Sequence, residues 1–350
     1  MPAVVRAIDV GYGNTKFVVG RTAGEIRCAM FPSVSSASLG NPCRNTLGER
    51  RRTIVVPVNG MYHEVGPDAL AARDHFRPTH MHDGYTDSPA YRAFVCAAMN
   101  SMKVDEIDAL VLGLPVATFL QKKAALERAW SGEFDVGDGR KVRIRKAIVL
   151  AQPMGALAYY AHASGKLERL AKEHSLVIDP GARTFDWLVT RGMTLVQNRS
   201  SSVNRGVFDI AKAITKEIAR ELGTDYRDYE AVDEALRTKK PLTLYQKPYE
   251  LGKFARLIGE IANEAVSSML GEIGDPAALQ NIVLVGGGAD LFGKAVRKAF
   301  PKHHVDEVKE PIFANVRGFQ LAGEHFAARQ ASAATSTTAP QPGESAATSP

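Results

Sequence analysis

Short apolar runs and stretches of helical apolar spacing alternate along most of the chain. Residues 4–10 and 16–19 are apolar runs joined by a Gly-containing turn, which predicts a hairpin. Further runs at 109–114, 147–151, 176–178, 185–189 and 281–285 predict strands. Between them, 91–102, 119–130, 155–163, 207–222, 254–270 and 291–300 place apolar residues every third or fourth position, which predicts amphipathic helices. Strands alternating with helices over this length predict an α/β architecture rather than a sandwich or a bundle. Residues 33–89 carry Pro, Gly and Asn punctuation and predict a small inserted subdomain; 225–248 is similarly uneven, broken at Lys239-Lys240-Pro241. After Arg329 the chain turns to Ala, Ser, Thr and Pro, and 330–350 is expected to be a disordered tail, because such composition cannot repay ordering entropy.

One internal echo organises the rest. Ala7-Ile8-Asp9-Val10-Gly11-Tyr12-Gly13-Asn14-Thr15-Lys16 is an apolar strand, an Asp, a Gly turn and a returning strand. Val177-Ile178-Asp179-Pro180-Gly181-Ala182-Arg183-Thr184-Phe185-Asp186 repeats that plan in the second half. A unit occurring once per half predicts a duplicated fold with a cleft between the halves. Either copy alone is equally an Asp-Gly turn between two strands. Facing each other, the two copies make a phosphate site. Glycines at the tips let backbone N–H groups approach an anion, and Lys16 adds a point charge. Asp9 and Asp179 suit a Mg2+ that keeps most of its waters and takes one or two protein carboxylates. A third element, Asn281-Ile282-Val283-Leu284-Val285 followed by Gly286-Gly287-Gly288-Ala289, is either a flexible turn or a place where a nucleoside lies flat on backbone. The chain contains no Gly-x-x-x-x-Gly-Lys-Ser/Thr loop, which excludes a P-loop enzyme.

Composition narrows the class. With 350 residues, 45% hydrophobic and 23% charged, the chain has room for two domains or one duplicated domain, and a largely disordered chain is excluded. The longest apolar stretch, 107–120, contains Asp108 and falls short of the roughly 20 residues a bilayer span needs. The opening residues run straight into strand pattern with no secretion signal. No membrane partner and a cytoplasmic location are therefore expected. Three scattered cysteines (Cys28, Cys43, Cys96) argue against a disulfide framework and for a reducing compartment. A net charge of +6 permits contact with nucleic acid without requiring it.

In this order the motifs resemble those of the actin-like ATPase superfamily, which also includes heat-shock chaperone ATPases and sugar kinases. The segment Asp9 to Lys16 is similar to its first phosphate motif, and Asp179 to Asp186 is similar to the second, Asp-x-Gly-x-x-Thr-x-Asp. Val285-Gly286-Gly287-Gly288-Ala289 is similar to the adenosine motif. Ala151-Gln152-Pro153-Met154-Gly155-Ala156 resembles the first connecting segment, and Asn315-Val316-Arg317-Gly318-Phe319 the second connecting helix. The ParM/StbA plasmid-segregation group, to which Val111-Leu112-Gly113-Leu114-Pro115 also points, is the nearest likeness, and the tail points to its PRTRC-system protein D branch. The resemblance spans residues 4–326. It implies a duplicated ribonuclease-H-like (actin-like) α/β fold, two domains flanking a nucleotide cleft, each with a small inserted subdomain. The implied bounds are 1–165 with an insertion at 33–89, 166–313 with an insertion at about 220–270, and a helix over 314–329 returning to the first domain.

ATP and Mg2+ are the cofactors this resemblance implies. Gly11, Tyr12, Gly13, Asn14, Thr15, Lys16, Gly181, Ala182, Arg183 and Thr184 would surround the phosphates. Gly286, Gly287, Gly288, Ala289, Lys212 and Lys216 would meet the nucleoside, and Asp9 and Asp179 the Mg2+ through its waters. Catalysis would fall to Gln152, Asp9 and Asp179, with Gln152 orienting the attacking water. Nucleotide-dependent filaments of the chain itself are implied, with a small DNA-binding adaptor joining them to plasmid DNA, so that nucleic-acid contact is indirect.

Some positions depart from the pattern or carry a second meaning. Tyr12 stands where actin has a small hydroxyl residue, and Ala182-Arg183 replaces the small pairs usual in the second loop. Arg183 either reaches the γ-phosphate or faces solvent. Gln152 also fits a helix cap, and Lys212 and Lys216 fit the solvated face of an amphipathic helix. His75, His80, His82 and Asp83 read as a polar loop rather than a metal site. Residues 140–146 alternate basic with apolar and are expected as a charged edge strand. A small-molecule kinase of the same superfamily with Asp186 as its base, and a nucleotide-binding scaffold without turnover, stand as alternatives.

Overall fold

The computed structural model describes residues 3–42, 45–46, 49–69 and 84–337. At the front of the chain, strand Val5–Val10 turns back into Asn14–Thr22, which pairs onward with Glu25–Pro32. On its other side Val5–Val10 pairs in parallel with Ala109–Leu114, and that strand in parallel with Ala147–Ala151, closing a five-stranded sheet. All residues of Ala109–Leu114 are buried, as a central parallel strand covered on both faces requires. The second half repeats the plan. His174–Pro180 turns back into Phe185–Arg191 and pairs in parallel with Asn281–Leu284, which pairs in parallel with Val305–Glu307. The duplicated α/β arrangement expected from the echo is therefore present in the strand order itself.

Helices cover these sheets with their apolar faces. Pro89–Met102 starts at Ser88, whose side chain accepts from the Tyr91 N–H, and buries Phe94, Val95 and Met99. In the second domain, Val207–Leu222 and Ala255–Glu272 bury Ile210, Ile214, Ala265 and Met269 around Trp187 and Phe185. Two helices join the domains. Gln152–Ala163 and Ala314–Thr337 cross so closely that a Cβ on Gly318 would overlap the Gly155 carbonyl, and one on Gly155 would lie 2.5 Å from Asn315 O. Only a glycine pair allows that backbone-to-backbone contact. It brings residues 152 and 315 to one place behind the cleft.

The structure adjusts three expectations. Strand Arg140–Ile144 lies between Gly132–Gly137 and Glu106–Ile107, so it is a central strand and not an edge. Its alternation records one buried face, with Val142 and Ile144 inside and Lys141 and Arg143 outside. Helix Ala314–Thr337 continues past Arg329, because an alanine-rich stretch that begins on a formed helix propagates it. The rest of the expected tail lies outside the described residues. Within 33–89, strands Ser36–Ser38, Ile54–Val58 and Met61–Val65 form a small sheet, with Val56, Val58 and Val65 in the core around Phe94. Over 220–270, helix Tyr229–Thr238 and hairpin strands Leu242–Leu244 and Lys247–Tyr249 precede Ala255–Glu272, and this region shares the second domain's core. His75, His80, His82, Asp83 and Cys43 lie outside the described residues. Cys28 and Cys96 are free, and among the described residues no helix is long and apolar enough to cross a membrane.

Candidate functional site

Strand register builds the site. In the first hairpin Asp9 lies opposite Lys16, and Lys16 Nζ donates to Asp9 Oδ2 at 3.0 Å. Asp9 is fully buried, and its other oxygen accepts from Gln152 Nε2 at 2.7 Å. Gln152 is thus turned into the floor of the cleft; helix Gln152–Ala163 is capped by no side chain, so Gln152 does not serve as its cap. Gly113 makes the room, since a Cβ there would come within 3.0 Å of Gln152 Cγ and 2.6 Å of the Phe319 ring. In the second hairpin Asp179 occupies the place of Asp9, and Asp186 lies opposite it, where the first hairpin has Lys16. Asn315 Nδ2 donates to Asp179 Oδ2 at 2.7 Å. Asp186 accepts from the Val116 N–H at 3.2 Å and from the Ser202 hydroxyl, tying the second hairpin to the first domain.

The two hairpin tips meet. A Cβ on Gly13 would lie 2.9 Å from Ala182 Cβ, so glycine is needed for the loops to close on each other. Each tip is a tight turn, with Gly11 N–H donating to Asn14 O and Gly181 N–H to Thr184 O. Ser33 supports the first, donating to Gly11 O and bonding Thr15 Oγ1. The N-terminus of helix Val207–Leu222 supports the second, through Val207 N–H to Gly181 O and Phe208 N–H to Ala182 O. Beneath the tips lies a cleft of about 620 Å3. Its walls include Asp9, Gly11, Tyr12, Gly13, Asn14, Lys16, Gln152, Asp179, Gly181, Ala182, Thr184, Gly286, Gly287, Ala289 and Asn315.

Electrostatics gather acidic groups at this floor. Burial, then repulsion from Asp186, pushes the Asp179 carboxyl up to about 7, against the pull of Asn315 and Lys16. Burial also raises Asp186, offset by Ser202, Thr184 and the Val116 amide. Three buried carboxylates therefore share the floor with the Lys16 ammonium, and Asn315 Oδ1 is buried with no partner among the described residues. That donor set fits a hydrated divalent cation, which would remove the cost of ionising Asp179.

The three glycines divide their work. Gly286 sits at φ +83°, and a Cβ there would overlap Asp179 Oδ1. Gly288 packs on the second hairpin, its N–H donating to Pro180 O at 2.9 Å and its Cα facing Val207. Gly288 is therefore a packing glycine rather than part of the cleft wall, whereas Gly287 faces the open space. Beyond Gly287 the wall passes to Phe208, Ala211 and one face of helix Tyr229–Thr238, where the Phe208 and Tyr229 rings stand 5.4 Å apart. Lys212 and Lys216 are not brought to this wall. They are exposed and line a separate shallow groove with Arg205 and Glu264, while Phe208 and Ala211 of the same helix line the cleft. Arg183 neither lines the cleft nor simply faces solvent; its Nη1 donates to Tyr12 Oη at 3.1 Å. Asn315, Phe208 and Tyr229 escaped sequence reasoning as site residues, although Asn315 opens the segment already singled out as the second connecting helix.

Residues 7–155 match the family model for the N-terminal domain of actin-like proteins, and 177–298 match the C-terminal domain of the MreB-like archaeal actin homologue. Among solved structures the chain is similar to Ta0583, an archaeal actin homolog, with TM-score 0.74 and 23% identity over 92% of this chain and 99% of that one. The same homolog in complex with ADP gives TM-score 0.72 at 23% identity, again over 92% and 99%. A 15-stranded ParM filament from Clostridium botulinum gives 0.72 at 20% identity, over 93% of this chain and 100% of that one. Bacillus thuringiensis ParM with ATP gives 0.62 at 16% identity, over 92% and 98%. At these identities the structural likeness is one of fold. A comparison with curated proteins finds no match.

Proposed function

This chain belongs to the actin-like superfamily, and from that premise we propose that it binds ATP with Mg2+ in the cleft, hydrolyses it, and assembles into nucleotide-dependent filaments that segregate plasmid DNA through a small DNA-binding adaptor. One observation carries the reading: the two hairpin tips touch, through Gly13 and Ala182, at the cleft that buried Asp9, Gln152 and Asp179 and half-buried Lys16 line. The backbone of 11–14 and 181–184 and the Lys16 ammonium hold the terminal phosphates. Asp9 and Asp179 would hold Mg2+ through its waters, and the ion would supply neutralisation of charge on the phosphates. Gln152 gives its Nε2 to Asp9, so its Oε1 accepts from the attacking water and aligns it in line with the leaving group. The nucleoside lies on Gly287 with its base towards Phe208 and Tyr229. Little covalent chemistry falls to the protein in such a transfer, and positioning supplies the rate.

Relatives solved with ADP, with ATP and as a filament support the nucleotide and the polymer. A head-to-tail contact whose rotation does not close gives an open helix of subunits. The kinase alternative would use Asp186, which the Val116 N–H and the Ser202 hydroxyl hold at the cleft lining. Sedimentation and phosphate release, with ATP or GTP and Mg2+, test the proposal on the native protein and on Asp179→Ala. Polymer and turnover in the first and neither in the second are expected. Nucleotide binding without phosphate release would favour the scaffold, and no nucleotide dependence in the native protein would remove the reading.

A further inference from the structure

The two departures from the phosphate motifs, Tyr12 in the first loop and Arg183 in the second, are in contact with each other. The Arg183 guanidinium donates to Tyr12 Oη at 3.1 Å and lies over the Tyr12 ring, 5.0 Å from its centroid. Neither end hangs on a free loop. The Tyr12 ring stacks on Tyr85 at 4.9 Å and 26°, and Tyr85 meets fully buried Tyr91 edge to face. On the other side, the Ala182 carbonyl beside Arg183 is held by the Phe208 N–H at the start of helix Val207–Leu222. A continuous chain of contacts therefore runs from the first domain's core, across the gap between the tips, to the second domain's helix. Tyr12 lines the cleft, whereas Arg183, over its ring, is not among the lining residues.

We propose that Arg183 and Tyr12 are a pair of positioning residues, a clasp that draws the second phosphate loop onto the first and so sets how long the nucleotide is held. The proposal rests on the nucleotide reading of the cleft. A cation over an aromatic face, reinforced by a hydrogen bond, favours the joined state of the tips, and a nucleotide that needs both loops binds in proportion to the population so joined. Because the arginine lies outside the cleft, the clasp acts on retention more than on the transferring phosphate.

The test has two arms. In the protein without nucleotide, amide hydrogen exchange over 11–14 and 181–184 is compared among native, Arg183→Ala, Tyr12→Ala and the double variant. Exchange in both loops is expected to rise together in each single variant, with no further rise in the double variant. Unchanged exchange, or an effect confined to the mutated loop, overturns the clasp whatever the cleft binds. In the second arm, KM for ATP with Mg2+ is expected to rise roughly tenfold in Arg183→Ala while kcat changes by less than about threefold. Arg183→Lys, which keeps a cation over the ring, is expected to recover part of the KM. Tyr12→Phe, which keeps the ring and loses the hydroxyl, falls between native and Tyr12→Ala. A fall in kcat at unchanged KM would place Arg183 on the reacting phosphate and overturn the positioning role. Joined exchange behaviour without any nucleotide binding would instead leave the clasp standing and remove the function assigned to the cleft.

Discussion

Replacing Asp179 by asparagine should stabilise the protein at the pH where it works and disable it there. Burial and the neighbouring Asp186 raise the Asp179 carboxyl from 3.8 to about 7, with Asp9 adding to the repulsion and Lys16 and Asn315 opposing it. Between those values the folded chain binds more protons than the unfolded one. The favourable contribution is thus complete below about pH 4 and is lost as pH rises through 7. A shift of about 3 units corresponds to about 4 kcal/mol across that window, of which relaxation and water entry will absorb part. Asp179→Asn has no charge to bury and keeps an oxygen to accept from Asn315 Nδ2. Thermal unfolding by circular dichroism, in nucleotide-free buffer with chelator, is the assay. Relative to the native protein, the variant's unfolding temperature should already be somewhat higher at pH 5 and higher by at least ~5 °C at pH 8. Adding Mg2+ and a non-hydrolysable triphosphate at pH 8 should reverse the order, because the cation now meets the charge that was costly. A native Tm that does not fall relative to the variant between pH 5 and 8 would refute the reasoning.

Other changes separate the roles within the cleft. Gln152→Ala should lower kcat by roughly two orders of magnitude while nucleotide affinity, read by fluorescence titration, stays within a few-fold of native. Gly286→Ala places a Cβ at φ +83° and onto Asp179 Oδ1, and should cost about 2 kcal/mol or more in denaturant unfolding together with nucleotide binding. Lys212→Ala with Lys216→Ala should leave nucleotide affinity unchanged, since both side chains stand outside the cleft wall; a marked loss would restore them to the nucleoside site.

Much of this site could be read from the residues because hairpins carry their register in the sequence. Asp9 to Lys16 and Asp179 to Asp186 have the same offset around a short turn, so the first of each pair must face the second across the ladder. A cleft needing one hairpin from each half followed from the echo. What spacing could not supply was direction. Helical periodicity groups Lys212 with Lys216 but does not say that Phe208, one turn earlier, and Ala211 are the ones lining the cleft. The triple glycine was legible as a unit, yet only the packing of Pro180 and Val207 reveals Gly288 as a contact glycine. Asn315 lies 136 residues from its Asp179 partner, and no local pattern predicts such a pair. The charged edge expected for Arg140–Ile144 is a central strand, because alternation marks a face and carries no information on how many edges are paired. Tyr12 and Arg183 were each visible as departures, and only the fold shows that one answers the other.

The proposed function requires one triphosphate and its metal between the two hairpin tips. A crystal structure with a non-hydrolysable ATP analogue and Mg2+ tests it most directly. Phosphates are expected between 11–14 and 181–184, with a cation that meets the Asp9 and Asp179 carboxylates through its waters. Phosphates bound elsewhere, or a cation coordinated away from both aspartates, would contradict it.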